Sequence, residues 1–146
     1  MPRYEVREWV DVLYLQRRMH EFAATQGFLR LECAELAIVV SELASNILKY
    51  GVRGSIEMEP WLDSRGEGLL IVATDCGPPF NDLVMALKDG HDDRGPIDPA
   101  RVLSRRGIGG GLGAIVRLTH EFFVQHEATG KRIEVKRYLN VALSRR

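Results

Sequence analysis

Two pairs of strand-like segments, each joined by a short turn, constrain the fold of this chain more than any other feature. In the first pair, GSIEMEPWL alternates and LLIVATD is continuously apolar, and the turn sequence SRGEG lies between them. In the second pair, FFVQHEA and RIEVKRYL flank the turn sequence ATGK. Strands that follow one another across tight turns pair antiparallel. A doubly wound parallel sheet is therefore not expected, because it needs a helix between successive strands.

Helical periodicity occupies much of the remaining chain. The segment VLYLQRRMHEFAATQGF has apolar residues at helical spacing and ends near Gly27, and a longer helix is expected over residues 29–50 with Gly51 as its cap. Shorter helices are expected over DLVMALKDG and AIVRLTHEF, a first strand over residues 5–9, and a weak edge strand in NVALSRR. These elements predict an α+β fold. It is a two-layer sandwich in which a mixed, mostly antiparallel sheet carries helices on one face.

Composition narrows the classes of function. The chain has 146 residues, 45% of them hydrophobic, and its 20 basic and 20 acidic side chains cancel. We expect one globular domain over residues 1–146, without the positive charge that non-specific nucleic-acid binding needs. The N-terminus lacks the apolar core of a signal peptide, and no window is apolar enough to span a membrane. Cys33 and Cys76 are expected to be reduced thiols in a cytoplasmic protein, because no metal-ligand spacing surrounds them.

The first candidate site is formed by Glu42, Asn46 and Lys49 in the long helix. Their spacing of i, i+4 and i+7 puts them on one helix face, in line with Glu35. A solvated face is the simpler interpretation, although such a face more often carries Glu, Lys or Arg than Asn, a mediocre helix former. The functional alternative is that carboxylate and amide oxygens side by side hold Mg²⁺. The carboxylate can also accept a proton from a water or a hydroxyl.

The second candidate site follows the continuously apolar strand, which ends at Asp75 and is broken by the sequence CGPPF. A strand-ending turn explains these residues, because Asp, Gly and Pro all favour turns. The functional alternative is a carboxylate that faces a pocket. Such an acceptor-only group can bind the exocyclic amino group of adenine, and Gly77 would let the backbone approach a flat ring closely.

The third candidate site is the tract GIGGGLG, in which five of the seven residues 107–113 are glycine. A flexible linker is one interpretation, but it does not need five glycines, each of which costs backbone entropy on folding. A segment without side chains at a helix N-terminus suits phosphate binding. Gly109, Gly111 and Ala114 also match the dinucleotide pattern GxGxxA. We reject a Rossmann site, because the tract follows a long polar loop rather than an early strand.

In chain order, SELASNILKYG, DCGPPF and GIGGGLG resemble the N, G1 and G2 boxes of the GHKL (Bergerat-fold) ATPase superfamily. The resemblance covers nearly the whole chain, and the chain length is similar to that of the bacterial anti-sigma-factor and switch serine-protein kinases. GLGAIVRLTHEF and GKRIEVKRYL resemble the switch kinases. PPFND and the long loop at residues 91–106 resemble the sigma-binding branch instead, so the branch stays open.

The resemblance implies a role for each matching residue of the first two boxes. Glu42 would be the general base, or would orient the attacking group. Asn46 would coordinate Mg²⁺, and Lys49 would lie near the phosphates. Asp75 would bind the adenine amino group, with Gly77 beside the ring.

In the last box, the resemblance implies contacts with the phosphates. The loop at residues 91–106 would be the ATP lid, from which Arg105 or Arg106 would reach the γ-phosphate. Relatives often have Thr where this chain has Lys131, and this departure puts one adenine contact in doubt. The residues that would wrap the phosphates are Gly107, Gly109, Gly110, Gly111, Leu112 and Gly113.

The resemblance also implies a function. The chain is expected to be an ATP-dependent protein serine/threonine kinase that uses ATP and Mg²⁺ and phosphorylates a STAS-domain antagonist protein. The alternative is an ATP-binding module that sequesters a sigma factor or another regulator with little turnover, and a third reading is a stand-alone nucleotide-binding input. No nucleic acid or membrane partner is expected, and a homodimer would agree with the anti-sigma branch.

Overall fold

The computed structural model describes residues 2–77, 91–92, 95–96 and 111–143. In those ranges it contains three helices and seven strands. The first half of the chain begins with one strand and two long helices, followed by a strand hairpin. In chain order, the elements are β1 (Arg3–Val6), α1 (Trp9–Gln26), α2 (Arg30–Tyr50), β2 (Gly54–Asp63), β3 (Gly66–Asp75), β4 (His91–Asp92), β5 (Gly95–Pro96), α3 (Gly111–Arg117), β6 (Glu121–Glu127) and β7 (Gly130–Tyr138).

Five strands form one sheet in the order β1-β2-β3-β7-β6. Every neighbouring pair in this sheet is antiparallel. The two predicted hairpins are both present, and β3 and β7 join them at the centre. The predicted α+β class with helices on one face is confirmed. Among the described strands the sheet is wholly antiparallel rather than mixed: two of its four strand pairs are hairpins, and the other two pairs, β1–β2 and β3–β7, also run antiparallel.

Tight turns set the register of the central strands. β2 turns into β3 across two residues, and β6 turns into β7 in the same way. Gly66 opens β3 with a φ of +127°, in a region that favours glycine. Since side chains alternate along a strand, the register decides which residues face the helices. β3 and β7 are not joined by a turn, and their pairing places Asp75, at the end of β3, opposite Lys131, near the start of β7.

The helices enclose the core against one face of the sheet. α1 packs against α2, and both helices reach the sheet. Burying one aliphatic side chain contributes about 1.5–3 kcal/mol, so this interface holds α2 firmly in place. The core side chains come from helical stripes and from alternate strand positions, and include Leu15, Met19, Leu36, Leu43, Ile47, Ile56, Met58, Ile71, Ile133 and Val135.

The first strand ends earlier than its alternation predicts. β1 stops at Val6 and α1 begins at Trp9, whereas the sequence predicted a strand over residues 5–9. The carboxylate of Asp11 accepts hydrogen bonds at 2.8 and 2.9 Å from the backbone N–H groups of the two residues before Trp9. These bonds satisfy donors that a helix N-terminus leaves without partners. The helix therefore begins where the strand was expected to continue.

The helix predicted over residues 114–122 is displaced toward the N-terminus. α3 begins at Gly111 and ends at Arg117, and the last predicted residues belong to β6 instead. The hydroxyl of Thr119 donates a hydrogen bond to the carbonyl of Ile115 at 2.8 Å, just beyond the end of the helix. A short apolar run fits the spacing of a helix and of a strand equally well, so its periodicity could not place this boundary.

Further predictions concern the loop, the termini and the thiols. The predicted loop at residues 91–106 contains β4 and β5, which pair with each other, and the helix predicted over residues 82–90 lies outside the described residues. The edge strand predicted in residues 140–146 is wrong for its described part, residues 140–143. Both cysteines are free, as predicted. None of the described helices combines the length and apolar character needed to cross a membrane.

Candidate functional site

The turn of α2 that carries Glu42 and Asn46 is buried. Glu42 is 1% exposed and Asn46 is 8% exposed, and the neighbouring Ser41 and Ser45 are buried as well. Carboxylate and amide side chains are rarely buried unless they are paired or have a function. A solvated helix face, the simpler interpretation of this turn, is therefore wrong.

Helix geometry explains how apolar and polar residues of the same turn are both buried. Leu43 and Ile47 belong to the hydrophobic core. The polar residues at positions 41, 42, 45 and 46 fall on an adjoining face, because residues three and four apart are neighbours on a helix. α3 packs against α2. The polar face of this turn is thus enclosed by the protein rather than open to solvent.

Two buried polar atoms in this turn have no hydrogen-bond partner within the described part of the chain. They are Oγ of Ser45 and Nδ2 of Asn46. Most buried polar atoms in proteins are hydrogen-bonded, and leaving one without a partner costs about 1–3 kcal/mol. A turn that keeps such atoms buried is suited to a polar ligand that satisfies them.

The four residues predicted to form one line along α2 lie in different surroundings in the structure. They are Glu35, Glu42, Asn46 and Lys49. Lys49 Nζ lies 5.9 Å from the ring centroid of Trp9, at the start of α1. Glu35 Oε1 accepts a hydrogen bond from Arg137 Nη2 at 3.2 Å. The remaining two residues of the line share the buried turn. The predicted contact of Lys49 with the phosphates stays a prediction.

Asp75 ends β3 in a turn that fixes the position of its carboxylate. Oδ1 of Asp75 accepts hydrogen bonds from the backbone N–H of Gly77 at 2.8 Å and from Nζ of Lys131 at 3.0 Å. The N–H of Cys76 donates to the carbonyl of Arg53 at 2.9 Å. The side chains of Asp75 and Lys131 are 7% and 2% exposed. The carboxylate is thus held both by its own turn and by the facing strand.

From the sequence, Lys131 is notable only as a departure from relatives, and its ion pair with Asp75 was not predicted. The tight turn before β7 fixes the register of β7 against β6 only. The register of β7 against β3, which brings Lys131 opposite Asp75, depends on the tertiary structure and could not be counted from the sequence. A cation directly across from a strand-ending carboxylate is a favourable cross-strand pair.

Three glycines let the end of α2, the Asp75 turn and the start of β7 approach one another. A Cβ on Gly51 would lie 2.9 Å from Cβ of Asp75, and one on Gly77 would lie 2.5 Å from the carbonyl oxygen of Tyr50. A Cβ on Gly130 would lie 1.9 Å from the carbonyl oxygen of Asp75. Gly77 therefore has a packing role, while its predicted contact with adenine stays a prediction. The first two candidate sites meet at the end of α2.

The structure describes the glycine tract from Gly111 onward. Gly111 opens α3 with a φ of +53°, a conformation that favours glycine. It is buried together with Leu112 and Gly113, and α3 packs against α2. The end of the third candidate site therefore lies beside the helix that carries the first. The remaining predicted residues lie outside the described residues, and their contacts with phosphate stay predictions: Arg105, Gly107, Gly109 and Gly110.

A cleft of about 650 Å³ opens beside Asp75. Gly51 and Lys131 also line it, together with the first residues of β2. A cleft of this volume is within the range that small-molecule sites occupy. Glu42 and Asn46 do not line this cleft, because they lie farther toward the N-terminal end of α2. The cleft therefore adjoins the turn of Asp75, where adenine was predicted to bind, and extends along β1 rather than toward Glu42 and Asn46.

A magnesium site made by the protein alone is not found in the part of the chain that the structure describes. Those residues include no group of three His, Cys, Asp or Glu side chains placed to hold a metal ion. Mg²⁺ usually binds through one or two protein ligands together with substrate phosphates. Asn46 would hold the ion through its amide oxygen, while its amide nitrogen, which has no partner among the described residues, could donate to a phosphate oxygen.

Comparison with known protein sequences gives matches to an ATPase domain family and to a protein kinase. A family model described as a histidine kinase-like ATPase domain matches residues 9–137. Serine/threonine-protein kinase RsbT of Bacillus subtilis (strain 168) is 31% identical over 133 residues, which cover 90% of this chain and 91% of that protein.

The fold is also similar to a solved structure. The crystal structure of the RsbU and RsbW domains of Rv1364c from Mycobacterium tuberculosis matches with a TM-score of 0.55 and 13% sequence identity. The match covers 94% of this chain and 32% of the solved chain, so this chain spans about a third of that protein's length. At this level of identity the likeness concerns the fold alone.

Proposed function

Because the chain belongs to the histidine kinase-like ATPase domain family, we propose that it is an ATP-dependent protein serine/threonine kinase of a bacterial partner-switching pathway. Its proposed substrate is a STAS-domain antagonist protein in the cytoplasm. The family match confirms the resemblance to the GHKL superfamily. The similarity to a serine/threonine-protein kinase over nearly the full length of both proteins supports the kinase activity.

The observation that carries the proposal is the buried polar turn of α2. It keeps the carboxylate of Glu42 and the amide of Asn46 inside the protein, at a place where the described residues leave polar atoms unsatisfied. The same helix ends against the turn that fixes Asp75. A phosphoryl-transfer site needs a proton acceptor, an oxygen ligand for Mg²⁺ and a group that binds adenine. Glu42, Asn46 and Asp75, in that order, can supply them.

In the proposed reaction, the hydroxyl oxygen of the protein substrate forms a bond to the γ-phosphorus of ATP. The bond from that phosphorus to the bridging oxygen breaks, and ADP leaves. Glu42 orients the attacking hydroxyl and accepts its proton. Because the carboxylate is buried, bulk water has little access to compete with the hydroxyl as the acceptor of the phosphoryl group.

The other residues position the nucleotide. Asn46 would hold Mg²⁺ through its amide oxygen, and the ion would offset the negative charge of the phosphates. Asp75 accepts a hydrogen bond from the base through its carboxylate. The start of α3 lies beside α2, where its glycines allow a close approach of the phosphates to the backbone.

Transfer of a labelled γ-phosphoryl group tests the proposal. The protein is mixed with Mg²⁺, labelled ATP and a STAS-domain protein from the same organism. We expect label in the partner and a decrease of about 10²- to 10⁴-fold in transfer rate for Glu42→Gln, the usual contribution of a general base. ADP binding measured by calorimetry should change little in this variant.

Glu35→Gln is the matched control, because it lies on the same helix, outside the buried turn, and keeps an oxygen for Arg137. It should transfer phosphate at the wild-type rate. Absence of label in the partner, or equal rates for Glu42→Gln and wild type, would contradict the kinase activity.

A sequestering module with little turnover is the second candidate function. The length of the polar segment at residues 91–106, which resembles the sigma-binding branch, favours it. In that case the protein would co-purify with a sigma factor or another regulator, without label transfer to a STAS-domain protein. Light scattering would then also be expected to give the mass of a homodimer.

A further inference from the structure

Arg137 is a buried cation near the end of β7 to which the proposed kinase mechanism gives no role. Its side chain is 4% exposed. Nη2 lies 3.2 Å from Oε1 of Glu35 and 3.6 Å from Oε2 of Glu32, both on α2. Nη1 donates a hydrogen bond to the carbonyl of Leu118 at 3.0 Å. One guanidinium therefore joins β7 to α2 and to the residue that follows α3.

The contact with Leu118 holds the end of a helix that is weak on its own. α3 has seven residues, and Gly111 and Gly113 are two of them. Isolated helices of this length are marginal, and glycine lowers helix stability further. The N–H of Leu118 donates to the carbonyl of Ala114 at 3.1 Å, so Leu118 continues the helical hydrogen bonding. A cation at this end satisfies a terminal carbonyl and interacts favourably with the helix dipole.

Stability alone does not explain the ion pair of Arg137 with Glu35. Taking charged groups out of water costs free energy that their attraction restores only in part, and apolar replacements of buried pairs are often equally stable. Here the cost is increased, because Nε of Arg137 is buried without a partner among the described residues. What the pair supplies is a fixed position, since a guanidinium forms its hydrogen bonds in one planar fork.

The two ends of this connection lie at matching distances from the proposed reaction centre. Glu35 precedes Glu42 by about two helical turns on α2. Leu118 follows Gly111, the first residue of α3, by about two helical turns as well. A change in how α2 lies against α3 would therefore move Glu42 relative to the glycines proposed to hold the phosphates.

We propose that Arg137 is a positioning residue of the phosphoryl-transfer site. It fixes α2 against α3, and so aligns the hydroxyl that Glu42 orients with the γ-phosphorus. The inference rests on the proposed kinase function, and Arg137 itself touches neither the nucleotide nor the protein substrate. Phosphoryl transfer tolerates little displacement, because a misplacement of about 1 Å can cost about 100-fold in rate. Binding of ADP has less strict geometry and depends less on Arg137.

Steady-state transfer of a labelled phosphoryl group to a STAS-domain protein tests the inference, with rates expressed per ADP-binding site counted by calorimetry. Loss of folded protein then lowers the number of sites but not the rate at each of them. Arg137→Lys keeps the buried charge but not the planar fork. We expect kcat to fall about 10- to 100-fold, with the ADP dissociation constant and the KM for ATP within about threefold of the wild-type values.

A second variant, Arg137→Met combined with Glu35→Leu, replaces the pair with apolar side chains. Glu32, whose side chain is 21% exposed, keeps its hydrogen bond from the N–H of Leu29 in this variant. The thermal unfolding midpoint should therefore stay close to that of the wild type. The kcat per site should nevertheless fall as in Arg137→Lys, because the connection to Leu118 is lost.

Arg132→Lys is the matched control, because Arg132 lies on the same strand and its guanidinium pairs with Glu134 of that strand at 2.9 Å. It should keep the wild-type kcat. A wild-type rate per site in the apolar variant overturns the inference, and if that variant does not fold, the rate of Arg137→Lys decides. Failure of both variants to fold also overturns it, because Arg137 would then act on stability. A wild type that transfers no label overturns the proposed function, and the inference falls with it.

Discussion

The two ends of the β3–β7 strand pair both contain buried polar side chains, but they differ in how completely these groups are satisfied. At one end, the hydroxyl of Tyr138 lies 2.6 Å from Oδ2 of Asp63 and 2.7 Å from Oε2 of Glu121. At the other end, Asp75 is paired with Lys131 beside a cleft. The first arrangement is called here the tyrosine end, and the second the lysine end.

At the tyrosine end, the groups around the hydroxyl have partners of their own. Trp61 Nε1 donates to Asp63 at 2.7 Å, and Arg65 Nη1 donates to Glu121 at 2.8 Å. The hydrogen bond from Tyr138, followed by that from Trp61, lowers the pKa of Asp63 to about 2. Burial, followed by the hydrogen bond to Asp63, raises the pKa of Tyr138. Because these groups have partners within the protein, the network at the tyrosine end stabilises the fold and offers no unsatisfied group to a ligand.

Close to the lysine end, the polar turn of α2 keeps atoms without partners in the described part of the chain. Such atoms lower the stability of the protein in the absence of a ligand. A ligand that forms hydrogen bonds with them removes this cost, which makes binding more favourable. The contrast teaches that burial of polar groups does not by itself mark a site. Incomplete hydrogen bonding supports a site at the turn because two such atoms lie there on neighbouring residues, whereas the buried Nε of Arg137 is a single such atom among the described residues. Substitutions at the two ends should therefore differ in their effect on ligand binding.

The largest expected effect on stability comes from a pair of glycines, one at each end. A Cβ on Gly68 would lie 2.0 Å from the carbonyl oxygen of Arg137, and one on Gly130 would lie 1.9 Å from that of Asp75. Alanine at either position should lower the free energy of unfolding by about 3 kcal/mol, because the backbone must move apart. Urea denaturation measures this loss.

Ligand binding separates the two glycine variants. Gly130→Ala should also weaken ADP binding, because it displaces the backbone of Asp75, whereas the folded fraction of Gly68→Ala should bind ADP normally. Glu67→Ala, at an exposed neighbouring position, is the control and should change stability by less than about 0.5 kcal/mol. Equal ADP affinity in both glycine variants would remove the functional difference between the ends.

Tyr138→Phe should have the next largest effect. The substitution removes the donor that two carboxylates share and leaves them near each other without it. A hydrogen bond to a charged group contributes about 1.5–3 kcal/mol, so we expect a loss of about 2 kcal/mol in urea denaturation with unchanged ADP affinity. Tyr14→Phe, at a residue that is 53% exposed, is the control. A change in ADP affinity would contradict a purely stabilising role.

Raising the pH above 10 should lower the free energy of unfolding through Tyr138, by a smaller amount than these substitutions do. The pKa of Tyr138 is raised above its ordinary value of 10.0, so the unfolded chain releases this proton at a lower pH than the native protein does. The stabilisation is complete below pH 10 and decreases as pH rises, by at most about 1.4 kcal/mol per pH unit for one proton. Urea denaturation between pH 9 and 11 should give a flatter profile for Tyr138→Phe. Parallel profiles would contradict the assignment.

The fold was largely predictable because its main signals are local. Both hairpins are encoded in short turns, and α2 in a long apolar stripe that ends before Gly51. The boundaries that were wrong depend on contacts that periodicity does not contain. The start of α1 is fixed by the carboxylate of Asp11, and the border between α3 and β6 falls in a run with ambiguous spacing.

The site was predictable in its residue types but not in its physical state. The sequence indicates Glu42, Asn46 and Asp75 through their order and spacing, whereas their burial depends on how the helices pack. The ion pair of Asp75 with Lys131 joins residues 56 positions apart and follows from the register of β3 and β7. The tight packing of Gly77 against the end of α2 likewise requires the tertiary structure.

The smallest expected effect is the most direct test of the contrast, because it compares two buried hydroxyl groups. Ser45 and Thr119 are 1% and 2% exposed. The hydroxyl of Thr119 donates to the carbonyl of Ile115, whereas that of Ser45 has no partner among the described residues. In urea denaturation without nucleotide, Thr119→Val should cost about 1 kcal/mol. Ser45→Ala should be neutral or more stable by about 0.5 kcal/mol, because alanine is the better helix former. A loss in Ser45→Ala as large as that in Thr119→Val would mean that the serine hydroxyl is already satisfied in the free protein, and the turn would then no longer differ from the tyrosine end.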